Sequence, residues 1–343
     1  MLAVTMGDPA GVGGELILAL WAARHADTPP FLMIDDAGRL EALARHLGLE
    51  VPVARLGTAA QAAEVFDQAL PVLPLATPLA VPPRPGHPDP ANAPAIIAAI
   101  RQAAEMALGG AVSAMVTNPI SKAVLQDDGF AHPGHTEFLG HLADGAGADP
   151  VDPVMMLVAP NLDPPLRVVP VTIHLPLARV AGALSRERIV ATGRVTARAL
   201  KQRFGIARPR LAVAALNPHA GEQGRLGNEE RALIAPAVAD LKAEGITVHG
   251  PLPADTLFHE PARAEADAVL CMYHDQALIP LKTLDFFGGV NVTLGLPFIR
   301  CSPDHGTAFG LAGSGRADPR SLRAALRLAA DLAAQRPPSR PTP

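Results

Sequence analysis

The sequence predicts an α/β protein with largely buried strands. Short apolar runs rich in β-branched residues alternate with longer Ala/Leu-rich segments, the pattern of strands and helices in alternation. Polar residues with chemistry of their own recur just past the apolar runs, where α/β sheets gather their ligands. With 343 residues, 49% hydrophobic and 18% charged, the chain has enough core for one large or two medium domains.

Strands are expected at residues 2–6 (LAVTM), 31–34 (FLMI), 111–117 (AVSAMVT), 154–158 (VMMLV), 167–174 (RVVPVTIH), 211–216 (LAVAAL) and 268–273 (AVLCMY). Helices are expected at 14–24, 91–108, 176–184, 187–204 and 228–244. A last helix starts at Asp318-Pro319, read as cap and first helical position, and carries the stripe Leu322, Leu326, Ala329, Leu332. Nine prolines between Pro71 and Pro94 read as a long surface connection. A polar, glycine-containing stretch at 126–141 marks a crossing into another domain, and the tail PPSRPTP is expected to be disordered.

The net charge of -4 and the 3% aromatic content argue against a nucleic-acid or membrane partner. No charged leader precedes the first strand, and no apolar run approaches membrane-span length. These features point to the cytoplasm, where Cys271 and Cys301 stay reduced. Cys271 lies inside an apolar run and reads as a core thiol.

The turn MGDPAGVGGE after the first strand resembles a dinucleotide-binding start, but Leu16 occupies the third glycine position. A tight turn beside a ligand, offering backbone N–H groups at a helix start, fits better; a purely structural turn is the alternative.

Of the twelve histidines, His25, His46, His87, His132, His249 and His259 lie in polar or proline-rich surroundings and read as solvent-facing. His174, His219 and His274 each stand just past an apolar strand. Three such imidazoles suit Zn²⁺ or another divalent ion, with buried hydrogen-bonded histidines as the alternative. A second set suits an anion: Lys122, His135, Thr136, Lys282, Asn291 and Arg300 combine a hydroxyl, an amide and cations. The stretch YHDQALIPLK also brings Asp275 and Gln276 beside His274, and Ser302–Gly315 is a glycine-rich loop open to a flat ligand.

Together, MGDPAGVGGE, TNPISK, PGHTEF, HLPL, NPHAGEQGRLGNEE, YHDQALIPLK and GVNVTLGLPFIRCSPDHGTAF resemble the 4-hydroxythreonine-4-phosphate dehydrogenase family of vitamin B6 biosynthesis. The blocks run in the family's order from Met6 to Gly315. The last loop is similar to the cofactor loop of isocitrate and isopropylmalate dehydrogenases, whose fold the family shares. The resemblance implies two α/β/α domains, residues 1–126 with 301–343 and residues 127–300, with a site in the cleft between them completed across a homodimer. It implies His174, His219 and His274 as metal ligands, His274 coming from the partner subunit. Substrate contacts would be His135, Thr136, Lys282, Asn291 and Arg300. His305, Gly306 and Thr307 would approach NAD or NADP. Asp255 would stand near the metal, orienting a ligand or moving a proton, and Lys282 would serve as general acid or base. The implied metal is Zn²⁺, with Mg²⁺ or Co²⁺ as alternatives.

The implied reaction oxidises 4-phosphooxy-L-threonine to 2-amino-3-oxo-4-phosphooxybutanoate, which decarboxylates to 3-amino-2-oxopropyl phosphate. The alternatives are D-threonate or D-erythronate 4-phosphate, a cis-dihydrodiol dicarboxylate, a metal-dependent lyase or phosphatase without nicotinamide, and a non-catalytic binding module. Three positions depart from the family pattern: GVGGE for GIGPE, Cys301 for a threonine, and Gly310 for an acidic residue in the cofactor loop.

Overall fold

A computed structural model describes residues 1–26, 28–127, 130, 132, 134–145 and 153–335. The tail PPSRPTP and part of the 126–141 stretch lie outside these residues. The chain divides into two compact units, Met1–Pro153 with Leu296–Ala333 and Val154–Gly295 with Ala334–Pro343. The sequence places the crossings at 126/127 and 300/301 instead. The difference has a packing cause: Phe138, Leu139 and Ala143 join the first unit's core, as do Leu296 and Phe298.

In chain order the first unit contributes β1 (Leu2–Thr5), α1 (Gly13–Ala22), β2 (Phe31–Ile34), α2 (Ala37–His46), β3 (Val53–Arg55), α3 (Ala62–Val65), β4 (Leu70–Leu73), α4 (Ala93–Leu108), β5 (Ala114–Thr117), α5 (Lys122–Asp127) and α6 (His135–Gly145). The second contributes β6 (Val154–Ala159), β7 (Leu166–Thr172), α7 (Val180–Ala183), α8 (Arg186–Gln202), β8 (Arg210–Ala214), α9 (Ala235–Ala243), β9 (Thr247–Leu252), α10 (Glu260–Glu265), β10 (Ala268–Tyr273), α11 (His274–Leu284) and β11 (Val290–Leu294). β12 (Arg300–Pro303) and α12 (Arg320–Ala334) follow.

The first unit's strands run in the order β3-β4-β2-β1-β5-β12, and each neighbouring pair is parallel. β1, β2 and β5 are buried along their whole length, which explains their unbroken apolar runs. α4 covers the sheet with Ala95, Ile96, Ala99, Ile100, Ala103 and Ala107; the alanines let its backbone lie close to the strands. The chain leaves β1 toward β2 on one side, and β5 pairs on the other. A topological switch therefore falls between β1 and β5, and a crevice opens there at the carboxyl ends of the strands.

The second unit's order is β11-β6-β7-β10-β8-β9. β6 is antiparallel to both its neighbours, whereas β7, β10, β8 and β9 are mutually parallel. Its core gathers Leu157, Val168, Ala212, Val269, Cys271, Ala277 and Leu281. Cys271 and Cys301 are free and buried. Burial pushes the Cys271 thiol up, and it pushes that of Cys301 up to about 12, so neither is a nucleophile at neutral pH.

Several elements differ from expectation. β4 contains Pro71, inside the segment read as connection. Leu70 N donates to Pro52 O, and Val72 O accepts from Leu56 N, so Pro71 faces the other neighbour and forfeits a single bond. The helix expected at 176–184 is a 3₁₀ turn, Leu177–Arg179, followed by the single turn of α7. The helix expected at 228–244 opens with a π-helical segment, Glu230–Ile234, before α9. Among the described residues, no helix is long and apolar enough to cross a membrane.

Candidate active site

At the first unit's switch point the turn after β1 meets the turn after β5. Asp8 N donates to Pro119 O, and Asn118 Nδ2 donates to Thr5 O. Gly7 must be glycine: its φ is +70°, and a methyl there would stand 2.7 Å from Asn118 Cβ. β12 brings Arg300 beside this turn. Its side chain is buried, and Nε and Nη2 both reach Thr117 Oγ1, at 3.2 and 2.7 Å. Burial lowers the guanidinium pKa to about 10, which leaves it charged at neutral pH.

His135 opens α6 and Thr136 follows, both half-buried. His135 Nε2 is buried with no hydrogen-bond partner among the described residues. Burial, then the charges of Arg300 and Lys122, hold its pKa well below the ordinary 6.5. The Lys122 ammonium lies against Gly134, where a methyl would be 3.4 Å from Nζ. Lys122, His135 and Arg300 are thus gathered in one unit near the carboxyl end of β5, an arrangement whose charge suits an anion.

This environment sets a pH dependence. The folded chain keeps His135 neutral, while the unfolded chain takes up a proton as pH falls through 6.5. The unfolded state then binds more protons, so this residue lowers stability below pH 6.5 and is silent above it. His135→Gln is expected to lose less stability on acidification than the parent. Urea midpoints measured across that range check this; parallel curves refute it.

In the second unit the three strand-end histidines follow neighbouring parallel strands. His174 follows β7, His274 opens α11 directly after β10, and His219 follows β8. The His174 and His274 rings have centroids 6.1 Å apart. Two imidazoles sharing a tetrahedral Zn²⁺, with Zn–N bonds of about 2.0–2.1 Å, stand roughly 5 Å apart. Among the described residues, no three His, Cys, Asp or Glu side chains are grouped closely enough to hold a metal. As placed, one chain brings two of the predicted ligands together and sets the third at the adjacent strand end.

The backbone at these histidines is unusual. His174 has φ +54° and His219 φ +52°. His219 begins a left-handed run through Ala220, Gly221, Glu222 and Gln223. Left-handed conformation costs non-glycine residues about 1–2 kcal/mol each, and such strain concentrates at functional sites. The polar residues of YHDQ have separate tasks. His274 Nδ1 is 2.8 Å from Asp275 Oδ1; a carboxylate only accepts, so Nδ1 carries the proton and Nε2 presents its lone pair. That is the usual arrangement behind a metal-bound imidazole. Gln276 accepts from Met272 N at 2.6 Å and donates to Ala215 O at 2.7 Å. It ties the end of β10 to that of β8. By ligand chemistry the three imidazoles suit a divalent ion; among the described residues of one chain His174 and His274 approach each other and no third ligand joins them.

The other expected residues of this unit lie nearby in the chain. Lys282 is half-buried on α11 with Nζ 5.3 Å from the Phe286 ring centroid. Asn291, on β11, has a buried Oδ1 without a partner among the described residues. Asp255 is exposed in the 3₁₀ turn Ala254–Thr256 after β9.

The loop carrying His305, Gly306 and Thr307 belongs to the first unit and lies over the β1–α1 turn. Val12 N donates to Thr307 O, and a methyl on Gly11 would be 3.0 Å from that oxygen. Glu15 anchors the loop's far end, accepting from Gly313 N at 2.7 Å and Ala317 N at 3.2 Å. A cavity of about 490 Å³ adjoins the loop, walled by Gly11, Leu43, Val81, Pro85 and Gly313. Gly306 faces open space. Backbone that is anchored at both ends yet open along one side fits a flat cofactor. Thr117 and Glu15 escaped sequence reasoning, because their partners lie far away in the chain and a lone Thr or Glu carries no signal of its own.

Comparison with known proteins agrees with these motifs. The profile of the family described as pyridoxal phosphate biosynthetic protein PdxA matches residues 27–329. A 4-hydroxythreonine-4-phosphate dehydrogenase of Methylorubrum populi is 56% identical over 343 residues, covering 100% of this chain and 97% of that protein. The crystal structure of a 4-hydroxythreonine-4-phosphate dehydrogenase from Klebsiella pneumoniae is similar with TM-score 0.85 and 39% identity, covering 97% of this chain and 99% of that one. A terephthalate 1,2-cis-dihydrodiol dehydrogenase from Burkholderia xenovorans is more distant, with TM-score 0.63 and 28% identity over 96% of each chain. The chain belongs to the PdxA family of pyridoxal phosphate biosynthetic proteins.

Proposed function

We propose that this chain is a 4-hydroxythreonine-4-phosphate dehydrogenase of vitamin B6 biosynthesis, working in the cytoplasm as a homodimer. It oxidises 4-phosphooxy-L-threonine to 2-amino-3-oxo-4-phosphooxybutanoate, which loses CO₂ to give 3-amino-2-oxopropyl phosphate. The observation that carries this reading is the 56% identity, over the whole chain, to a protein of that name.

Each residue has a task in the reaction. Arg300, His135 and Thr136, with Lys282 and Asn291, bind the phosphate and carboxylate. Neutral His135 donates or accepts one hydrogen bond without adding charge. His174, His219 and His274 hold the divalent ion, Zn²⁺ by ligand type. When bound, the ion acts as a Lewis acid on the carbon-3 oxygen and the neighbouring amine. NAD or NADP accepts the carbon-3 hydride, bound along His305, Gly306 and Thr307, with the adjoining cavity taking a flat ring. The Asp255 carboxylate and Lys282 Nζ are the proton-transfer groups: one removes the carbon-3 hydroxyl proton, the other returns a proton to carbon 2 after CO₂ leaves. The exposed side chains Ile279, Leu284, Phe286 and Phe287 on and after α11 support a subunit contact at this face.

One substrate comparison tests the reading. The protein is given 4-phosphooxy-L-threonine, D-erythronate 4-phosphate, D-threonate 4-phosphate and a cis-dihydrodiol dicarboxylate, each with both nicotinamides. The amino substrate is expected to give the fastest absorbance rise from reduced nicotinamide. Faster turnover of another acid would reassign the substrate, and substrate loss without nicotinamide reduction would make the enzyme a lyase or phosphatase.

A further inference from the structure

His219 stands in a backbone conformation that its own residue type disfavours, so something else must hold it there. The run His219–Gln223 has φ values of +52°, +52°, +75°, +42° and +60°, and Gly224 follows at +93°. Only glycines adopt such angles freely, and His219, Ala220, Glu222 and Gln223 are not glycines. The turn is exposed at His219 itself, so apolar packing does not fix it.

What fixes it lies on the other side of the loop. Glu230 is a buried acid, 4% exposed. Its Oε1 accepts from Leu216 N at 2.9 Å and from Asn217 N at 2.8 Å. Its Oε2 accepts from Asn217 Nδ2 at 3.0 Å. Those donors are the residues by which the chain leaves β8 and enters the left-handed turn. Oε2 also fills the space beside the turn's centre: a methyl on Gly221 would lie 2.5 Å from it. Glu229 Oε2 shares the Asn217 side-chain amide at 2.8 Å, but the backbone N–H groups of Leu216 and Asn217 and the space beside Gly221 belong to the Glu230 carboxylate. Glu230 is the first residue of the π-helical segment Glu230–Ile234. π-helical segments widen a helix locally and recur at functional sites; here the widened turn delivers a side chain to a loop before the regular helix α9 begins.

We infer that Glu230 is a positioning residue that holds the left-handed turn and thereby aims the His219 imidazole. The inference rests on the reading of His219 as a metal ligand. Both Glu230 oxygens are engaged by Leu216 and Asn217, so it acts through that backbone and not as a ligand itself.

The test uses the full chain, with Zn²⁺ alone as probe in competition with a chromophoric chelator, and amide hydrogen exchange as a second readout. Glu230→Gln keeps the shape but turns an amide N–H₂ toward either the backbone N–H pair or the Asn217 amide, so donor meets donor. Zn²⁺ affinity is expected to fall about 10–100-fold, the usual effect of losing a group that orients a ligand. Exchange at Leu216, Asn217 and the turn should quicken while β8 and β10 stay protected. In a His219→Ala background the same substitution should change Zn²⁺ affinity no further. Parent-like affinity in Glu230→Gln overturns the inference, as does an undiminished loss in the His219→Ala background. If His219→Ala itself binds Zn²⁺ like the parent, the ligand reading falls and takes the inference with it. Should Glu230→Gln fail to fold, Asn217→Ala removes one of the same bonds and is expected to shift affinity in the same direction by less; no shift there overturns the inference.

Discussion

His219→Ala and His274→Ala are each expected to lose essentially all dehydrogenase activity, and mixing the two inactive proteins is expected to restore part of it. A bound metal ion contributes several kcal/mol of charge stabilisation, so loss of a ligand costs roughly 10³-fold or more in turnover. Recovery on mixing follows from the proposed sharing. If His174 and His219 of one subunit work with His274 of the other, a mixed dimer retains one complete set. Random reassembly makes about half the dimers mixed, each with one of two sites intact, so about a quarter of parent activity returns. Mixing His219→Ala with His174→Ala supplies the control, because no mixed dimer then holds a complete set. Recovery in the first mixture alone supports the shared site. No recovery in either places all three ligands in one chain, in line with the 6.1 Å approach of His174 and His274 within it. A chelator should abolish activity in the parent and added Zn²⁺ should restore it; full activity in metal-free protein refutes the ligand assignment.

The second large effect belongs to Arg300. Arg300→Lys is expected to lower kcat/KM for the phosphorylated substrate by roughly 10²–10⁴, from two charge-assisted hydrogen bonds at about 1.5–3 kcal/mol each. Lysine keeps the charge but not the planar fork that grips an oxyanion with parallel N–H groups. The shorter donor set must also choose between Thr117 Oγ1, which both Nε and Nη2 now reach, and the ligand. The effect should appear mainly in KM if Arg300 only binds, and equally in kcat if it also aligns the carboxylate for CO₂ loss. An unchanged kcat/KM would remove Arg300 from the site and leave it as a buried structural cation. Because the side chain is buried, thermal unfolding of the variant is measured alongside, so that a folding defect is not read as a binding one.

The candidate residues were legible in the sequence, and little of their geometry was. Local pattern carries burial and strand ends: β1, β2 and β10 read correctly because strands buried along all or nearly all their length leave continuous apolar runs. The placement of His174, His219 and His274 past apolar strands was visible for the same reason. β3, β4, β9, β11 and β12 were not foreseen. β3 is half exposed, β4 carries a proline, and β12, RCSP, has too little apolar length to read as a strand. The division between the units also escaped, since α6 belongs to whichever core its Phe138 and Leu139 enter, and periodicity shows an apolar face without showing its partner.

Alternation and strand-end chemistry were thus settled by composition along the chain, because burial and turn chemistry act over a few residues. Strand order, the β1/β5 switch, the neutral state of His135 and the left-handed turn at His219 were settled only in three dimensions. Each depends on groups far apart in sequence: Arg300 meets Thr117 across 183 positions, and the His219 turn takes its form from an acid beyond its own loop. Hydrogen bonds and charges act through space, and a linear pattern records the groups but not their distances.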